Sequence, residues 1–227
     1  MAKRKDESQI HYKMGIVHFN EKNYTESLKE LTTAIAKYPE EASYHNAIGL
    51  VYFQKGMNTE AIASMKKAIA LDPKSSEAHV NLSAIYIVER RWDDVIFESR
   101  EALKNIFYRT PEYAYFNMGW AHYNKSNYRE AVESYRKAVD LNPNYALAYY
   151  NMGIALEKMN STKESVAAYE RAIKASPAFI DAHYNLGVAL VKQKDKAGAL
   201  RAFEKVLEIS PEGEKAQSAR DYINLIK

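Results

Sequence analysis

Apolar side chains in this chain recur at helical spacing, stop, and start again. A first amphipathic stretch runs from Tyr113 to about Asn124, and the polar triplet Lys125-Ser126-Asn127 breaks it. A second stretch from Tyr128 to Leu141 carries Ala131, Tyr135, Ala138 and Val139 on one stripe. Three- and four-residue steps of this kind predict two helices, each with one buried face. Asn142-Pro143 ends the second, because Pro donates no backbone hydrogen bond and disfavours helix in the residue before it.

The same line returns along nearly the whole chain. A small residue opens it at Gly15, Gly49, Ser83, Gly119, Gly153 and Gly187, at steps of 34, 34, 36, 34 and 34 residues. Pro39, Pro73, Pro143, Pro177 and Pro211 each fall 24 residues after their small residue. With that small residue set as position 8, the units are 8–41, 42–75, 76–111, 112–145, 146–179 and 180–213. A period of this length predicts an all-α array of stacked helix pairs with a long groove, rather than one closed core with a catalytic pocket. Residues 214–227 predict one more helix, with Ala216, Ala219, Tyr222, Ile223 and Ile226 on one face and charged or polar residues on the other, as a cap requires. The polar residues 1–7 are expected to be a flexible N-terminus.

The small residues have a packing reason. Gly or Ser at position 8, Ala at position 20 (Ala61, Ala131, Ala199) and Ala at position 27 (Ala34, Ala68, Ala102, Ala138, Ala172) let two helices approach closely. Unit 3 departs from the pattern: it has 36 residues, with Val95, Ser99 and Phe107 at positions 20, 24 and 32, and its proline comes late, at Pro111. The extra length in 104–111 predicts a longer second helix or loop.

Composition narrows the chemistry. Of the 227 residues, 32 are basic and 29 acidic, a balance that argues against a nucleic-acid surface. No Cys is present, which excludes disulfides, thiol catalysis and Cys-ligated metal within this sequence. No apolar run reaches the roughly 18–20 residues that span a bilayer. P-loop, G-x-G-x-x-G, H-E-x-x-H and G-x-S-x-G motifs are all absent, so no enzyme, cofactor or metal site is expected. His11, His45, His79 and His183 share position 4, and His18 and His122 share position 11. Equivalent positions in stacked helices lie about 8–10 Å apart, too far for shared coordination at about 2 Å, so the rings are expected to pack and hydrogen-bond locally.

The Gly-8, Ala-20, aromatic-24, Ala-27 and Pro-32 pattern, repeated in register, resembles the tetratricopeptide repeat family. That resemblance implies a right-handed superhelical solenoid of six helix–turn–helix repeats, with first helices lining a concave face that binds proteins or peptides. One mechanism of the family is not expected. The clamp for acidic C-terminal tails needs Asn at position 9 and Arg at position 6, whereas position 9 here is Ile16, Leu50, Ala84, Trp120, Ile154 and Val188.

Two sets of residues are candidates for the groove. Asn81, Asn117, Asn151 and Asn185 all hold position 6, where an amide offers a donor and an acceptor to a partner's main chain. They resemble the asparagine ladder of the repeat superhelix in O-linked N-acetylglucosamine transferase; the alternative role is bracing the helix array. Around them Tyr113, Phe116, Trp120, Tyr150 and Tyr184 predict an apolar binding surface, since aromatic side chains are enriched where partners dock, although part of such a set also packs between repeats.

Six units with an expansion after the third, followed by Pro111-Glu112-Tyr113-Ala114-Tyr115-Phe116-Asn117-Met118-Gly119-Trp120-Ala121, resemble the type IV pilus biogenesis lipoproteins, the pilotins. That resemblance implies a partner from the outer-membrane secretin and a place at the periplasmic face of that membrane. A lipid anchor is then expected only if an export signal and a Cys precede the sequence as written. The alternative is a general cytosolic scaffold or regulatory adaptor.

Overall fold

The computed structural model describes residues 2–226, with nothing stated for the side chains of residues 2 and 3. Thirteen α-helices and no strand occur among the described residues. The chain divides into two compact bodies, Met1–Asn117 and Met118–Lys227.

In the first body, α1 (Ala2–Asn20) packs on α2 (Tyr24–Lys37), α3 (Ala42–Gln54) on α4 (Asn58–Leu71), and α5 (Ser76–Val88) on α6 (Trp92–Leu103). First helices also touch the next first helix, α1 on α3 and α3 on α5. The boundary lies inside α7 (Pro111–Asn124). The second body continues with α8 (Tyr128–Leu141), α9 (Ala146–Lys158), α10 (Thr162–Ala175), α11 (Ile180–Lys192), α12 (Lys196–Ile209) and α13 (Glu214–Ile226), each packed on the next.

Each helix pair turns at the same place. Lys22, Gly56, Arg90, Ser126, Asn160 and Lys194, all position 15 of their units, sit at φ between 55° and 74°, and only one of them is Gly. The backbone N–H three residues past each first helix then closes on a carbonyl inside it, as in Asn127 N to His122 O at 2.9 Å and Asp195 N to Leu190 O at 3.0 Å. Such a closure satisfies carbonyls that a helix end leaves orphaned.

Within each pair the close approach rests on position 8 facing position 24. A Cβ added at Gly153 would lie 2.5 Å from the Tyr169 ring, at Gly119 2.6 Å from Tyr135, and at Gly187 2.6 Å from Phe203. In the first body the opposing residues are aliphatic: Leu31 against Gly15 and Met65 against Gly49. Unit 3 solves the contact differently. Position 24 is the buried Ser99, and the space taken by a ring elsewhere lets Ser83 stand where the others need Gly.

Two sequence expectations are altered. Residues 2–7 are not a loose leader but the first turns of α1, while Met1 lies outside the described residues. Contacts invisible to local polarity hold them: the Lys37 ammonium donates to Glu7 at 2.8 Å, the Lys5 ammonium lies 5.3 Å from the Tyr38 ring centre, and buried Ser8 meets the Tyr44 hydroxyl at 3.0 Å. The expansion in unit 3 lengthens the connection rather than the helix, since α6 is 12 residues and ends at Leu103. In that connection Tyr108 is buried against Val80, Ala102 and Ala114, whereas Ile106 and Phe107 are 86% and 83% exposed.

The last and first helices differ. α13 buries Ala216, Ala219, Ile223 and Ile226. On α1, Ile10, Met14 and Val17 are exposed, although the corresponding residues of α3 (Tyr44, Ile48, Val51) and α5 (Ala78, Leu82, Ile85) are buried.

Gly153→Ala is expected to lower unfolding stability by about 1–3 kcal/mol, the typical cost of overpacking. The double change Gly153→Ala with Tyr169→Leu should be less destabilising than the sum of its parts by about 0.5–3 kcal/mol, because the smaller side chain makes room for the methyl. Urea titrations of the four proteins measure this, and strict additivity would refute the lock between the two positions.

Candidate functional site

The first helices of the first body form an open depression of about 520 Å³. Asn46 and Leu50 reach it from α3, Asn81 and Ala84 from α5, and Tyr113 and Asn117 from α7. Tyr113 keeps 45% of its surface exposed there. Three of the nine residues proposed from sequence therefore converge on one surface, while Phe116, on the same helix α7, is half-buried.

The amides are partly committed to the fold. Asn81 Nδ2 donates to Asn46 Oδ1 at 2.9 Å, tying α5 to α3. Asn117 Nδ2 donates to Ser83 Oγ at 2.7 Å, tying α7 to α5, and Ser83 passes its own proton to the Val80 carbonyl at 2.7 Å. Where the other units have Gly at position 8, unit 3 offers the amide this hydroxyl. In the second body Asn151 Nδ2 donates to the Leu147 carbonyl at 2.8 Å, and Asn185 Nδ2 to the Tyr150 hydroxyl at 3.2 Å. Asn117 and Asn151 are each only 7% exposed, which leaves Asn81 and Asn185 as the members of the row that present an amide at open surface.

The second body arranges its rings in a chain. Tyr150 packs between Tyr169 and Phe179, with ring centres 6.0 and 4.8 Å away. Burial, with the nearby Asp181 charge, pushes its phenol up to about 12, so it remains a neutral donor and acceptor. Tyr184 meets Phe203 and Tyr222 edge-on at 5.9 and 6.3 Å, and lines a shallow depression of about 430 Å³ with Ser218, Asp221, Tyr222 and Leu225. Trp120, in the C-terminal half of α7, is half-buried. These rings are thus part core and part surface. Sequence reasoning missed Asn46, Tyr108, Thr110 and Glu77, which also line the first depression. The usable signal was the expansion in unit 3, which carries Tyr108 and Thr110 into it.

The histidines act locally. His45, His79 and His183 donate from Nε2 to the carbonyls of Pro39, Pro73 and Pro177 at 2.7, 3.3 and 2.9 Å, so position 4 caps the preceding unit's proline stop. His11 and His79 also place Nδ1 2.6 Å from Glu30 and Glu98. No group of three His, Cys, Asp or Glu side chains that could hold a metal occurs among the described residues, and no helix there is long and apolar enough to cross a membrane.

Comparison with known proteins matches this architecture. A family profile described as tetratricopeptide repeat matches residues 12–76 and 150–214, and a second, described as TPR repeat, matches 119–160. No curated protein shows a matching sequence. Among solved structures, PilF of Pseudomonas aeruginosa is 16% identical, with 96% of this chain and 98% of that one covered and a TM-score of 0.85. PilW, described as a widely conserved type IV pilus biogenesis factor, is 14% identical, with coverage of 94% and 98% and a TM-score of 0.84. YrrB, described as having an unusual peptide-binding site, is 21% identical, with coverage of 84% and 97% and a TM-score of 0.67. At these identities the likeness is one of fold.

His79 supplies a pH-dependent contribution to stability. Burial of the ring lowers its pKa, but the hydrogen bond to Glu98, the Pro73 carbonyl and the charges of Glu98 and Glu101 together raise it above 6.5. A raised folded pKa stabilises the fold fully below the ordinary value, and the contribution is lost as pH rises through the folded value. The gap in urea midpoint between the parent and Glu98→Gln should therefore be wider at pH 6 than at pH 9; an equal gap at both would show that the ring carries no extra proton.

Proposed function

The chain belongs to the tetratricopeptide repeat family, and we propose that it is a protein-interaction module whose first helices hold an extended or apolar segment of a partner. The observation that carries this reading is the open depression with Tyr113 half exposed beside Asn81. An exposed ring next to an amide offers apolar contact for a side chain and hydrogen bonds for main chain, which is how an extended peptide is held with little demand on its sequence. Phe116 and Trp120 on the same helix, and Tyr150, Tyr184 and Asn185 on α9 and α11, are the further contacts. Asn117, being buried, serves the reading by holding α7 on α5, while the buried Asn151 bonds back along its own helix α9.

The narrower reading is a type IV pilus biogenesis factor whose partner is an outer-membrane secretin segment, with a lipid anchor if a signal and Cys precede this sequence. Similarity of fold to PilF and PilW over nearly the full length of those chains supports it. An edge-forming β-prone segment is a fitting cargo, because such a strand pairs prematurely unless its main chain is covered.

Affinity capture from the native cell on the immobilised chain tests both levels. Tyr113→Ala and Asn81→Ala are expected to weaken capture of the principal partner about tenfold or more, the loss expected when a hot-spot residue is truncated. Retention of that partner at full strength by both variants would overturn the groove assignment. A cytosolic partner in place of a secretin would overturn the pilus reading alone and favour a general scaffold or adaptor.

A further inference from the structure

The depression in the first body is acidic as well as aromatic. Glu77, in the first turn of α5, is its only charged lining residue, set with Tyr108, Thr110 and Tyr113. Glu112, in the first turn of α7, is close enough to act on the buried Tyr108. That phenol is raised first by burial and further by the charges of Glu77 and Glu112, while Thr110 opposes the shift through a hydrogen bond. Neither carboxylate has an ion-pair partner among the described residues. Arg109, next to Tyr108 in the chain, is exposed and does not line the depression.

The second body shows the same chemistry already completed. Asp181 holds position 2 of its unit, as Glu77 does in unit 3. It forms an ion pair with Lys215 of α13, and the Lys215 ammonium lies 5.4 Å from the centre of the Tyr184 ring. Asp181 and Tyr184, positions 2 and 5 of α11, thus together seat a cation that α13 supplies. On α5 the same position-2 carboxylate, Glu77, lines an open depression together with Tyr113 of α7, and no Lys or Arg among the described residues is in its wall.

We propose that the depression between α3, α5 and α7 selects a partner segment carrying a Lys or Arg side chain, whose cation sits against Glu77 with its stem along Tyr113. This rests on the groove reading and adds to it the chemistry of the residue selected. Glu77 supplies the charge, and the tyrosine face takes the cation or its methylene stem. The acids of the first helical turns also favour their helix dipoles, a role that would affect stability and not discriminate among ligands.

Two synthetic probes of about a dozen residues test it, alike in a Ser/Thr/Ala background and differing only in a central Arg or norleucine. Binding to the full chain is measured by fluorescence anisotropy at low and at moderate salt. The Arg probe is expected to bind about tenfold tighter, with the advantage shrinking as salt screens the pair. Glu77→Gln is expected to erase that advantage while leaving the norleucine probe unchanged. Tyr113→Ala is expected to weaken both probes. An Arg preference that persists undiminished in Glu77→Gln, or no Arg preference in the parent, overturns the cation seat and leaves the groove reading standing. Failure of both probes to bind the parent overturns the groove reading and this inference together.

Discussion

Five of the six helix pairs depend on one contact, the missing side chain at position 8 set against the bulk at position 24. A helix pair approaches closely only when one partner gives way. Here the first helix yields at Gly15, Gly49, Gly119, Gly153 and Gly187, and the second fills the space with Leu31, Met65, Tyr135, Tyr169 and Phe203. The fully buried rings of Tyr135, Tyr169 and Phe203 show how completely that space is used. Unit 3 keeps the balance by shrinking position 24 to Ser99, which leaves room for Ser83 at position 8. Its hydroxyl then becomes an acceptor for Asn117, so a packing substitution turns into a polar link between α5 and α7.

The division of labour between first and second helices follows from this lock. Second helices spend their bulk inward on the first, and first helices are left to meet one another and the solvent. Position 6 lies where those two duties overlap. One N–H of each amide bridges to a neighbouring first helix or back along its own, as in Asn81 to Asn46 and Asn151 to Leu147. Bracing the array and contacting a partner are thus shared by a single row, with burial deciding the weight of each along the chain.

Repeat phase, helix pairing and the final helix were legible in the sequence, because Gly at position 8 and bulk at position 24 recur in register as a close helix contact and Pro at position 32 stops the helix. The polar start of α1 was not, since its order comes from Lys37 and Tyr38 on α2, which local polarity cannot reveal. Nor was the connection after α6: Ile106, Phe107 and Tyr108 look alike in sequence, and only contact with Val80, Ala102 and Ala114 selects Tyr108 as the inward residue. The convergence of Asn81, Asn117 and Tyr113 followed from the period, whereas the amide partners did not. Asn81 holds position 6 and Asn46 position 5, a pairing set by the stagger of stacked helices rather than by the repeat itself.

The two terminal helices are finished unlike each other. α13 turns Ala216, Ala219, Ile223 and Ile226 inward and leaves Leu225 as its bare apolar residue, while α1 leaves a stripe of Ile10, Met14 and Val17 bare. Were two copies to meet stripe on stripe, the contact would be the same on both molecules, would use up both stripes and would stop at a closed pair instead of growing into a fibre.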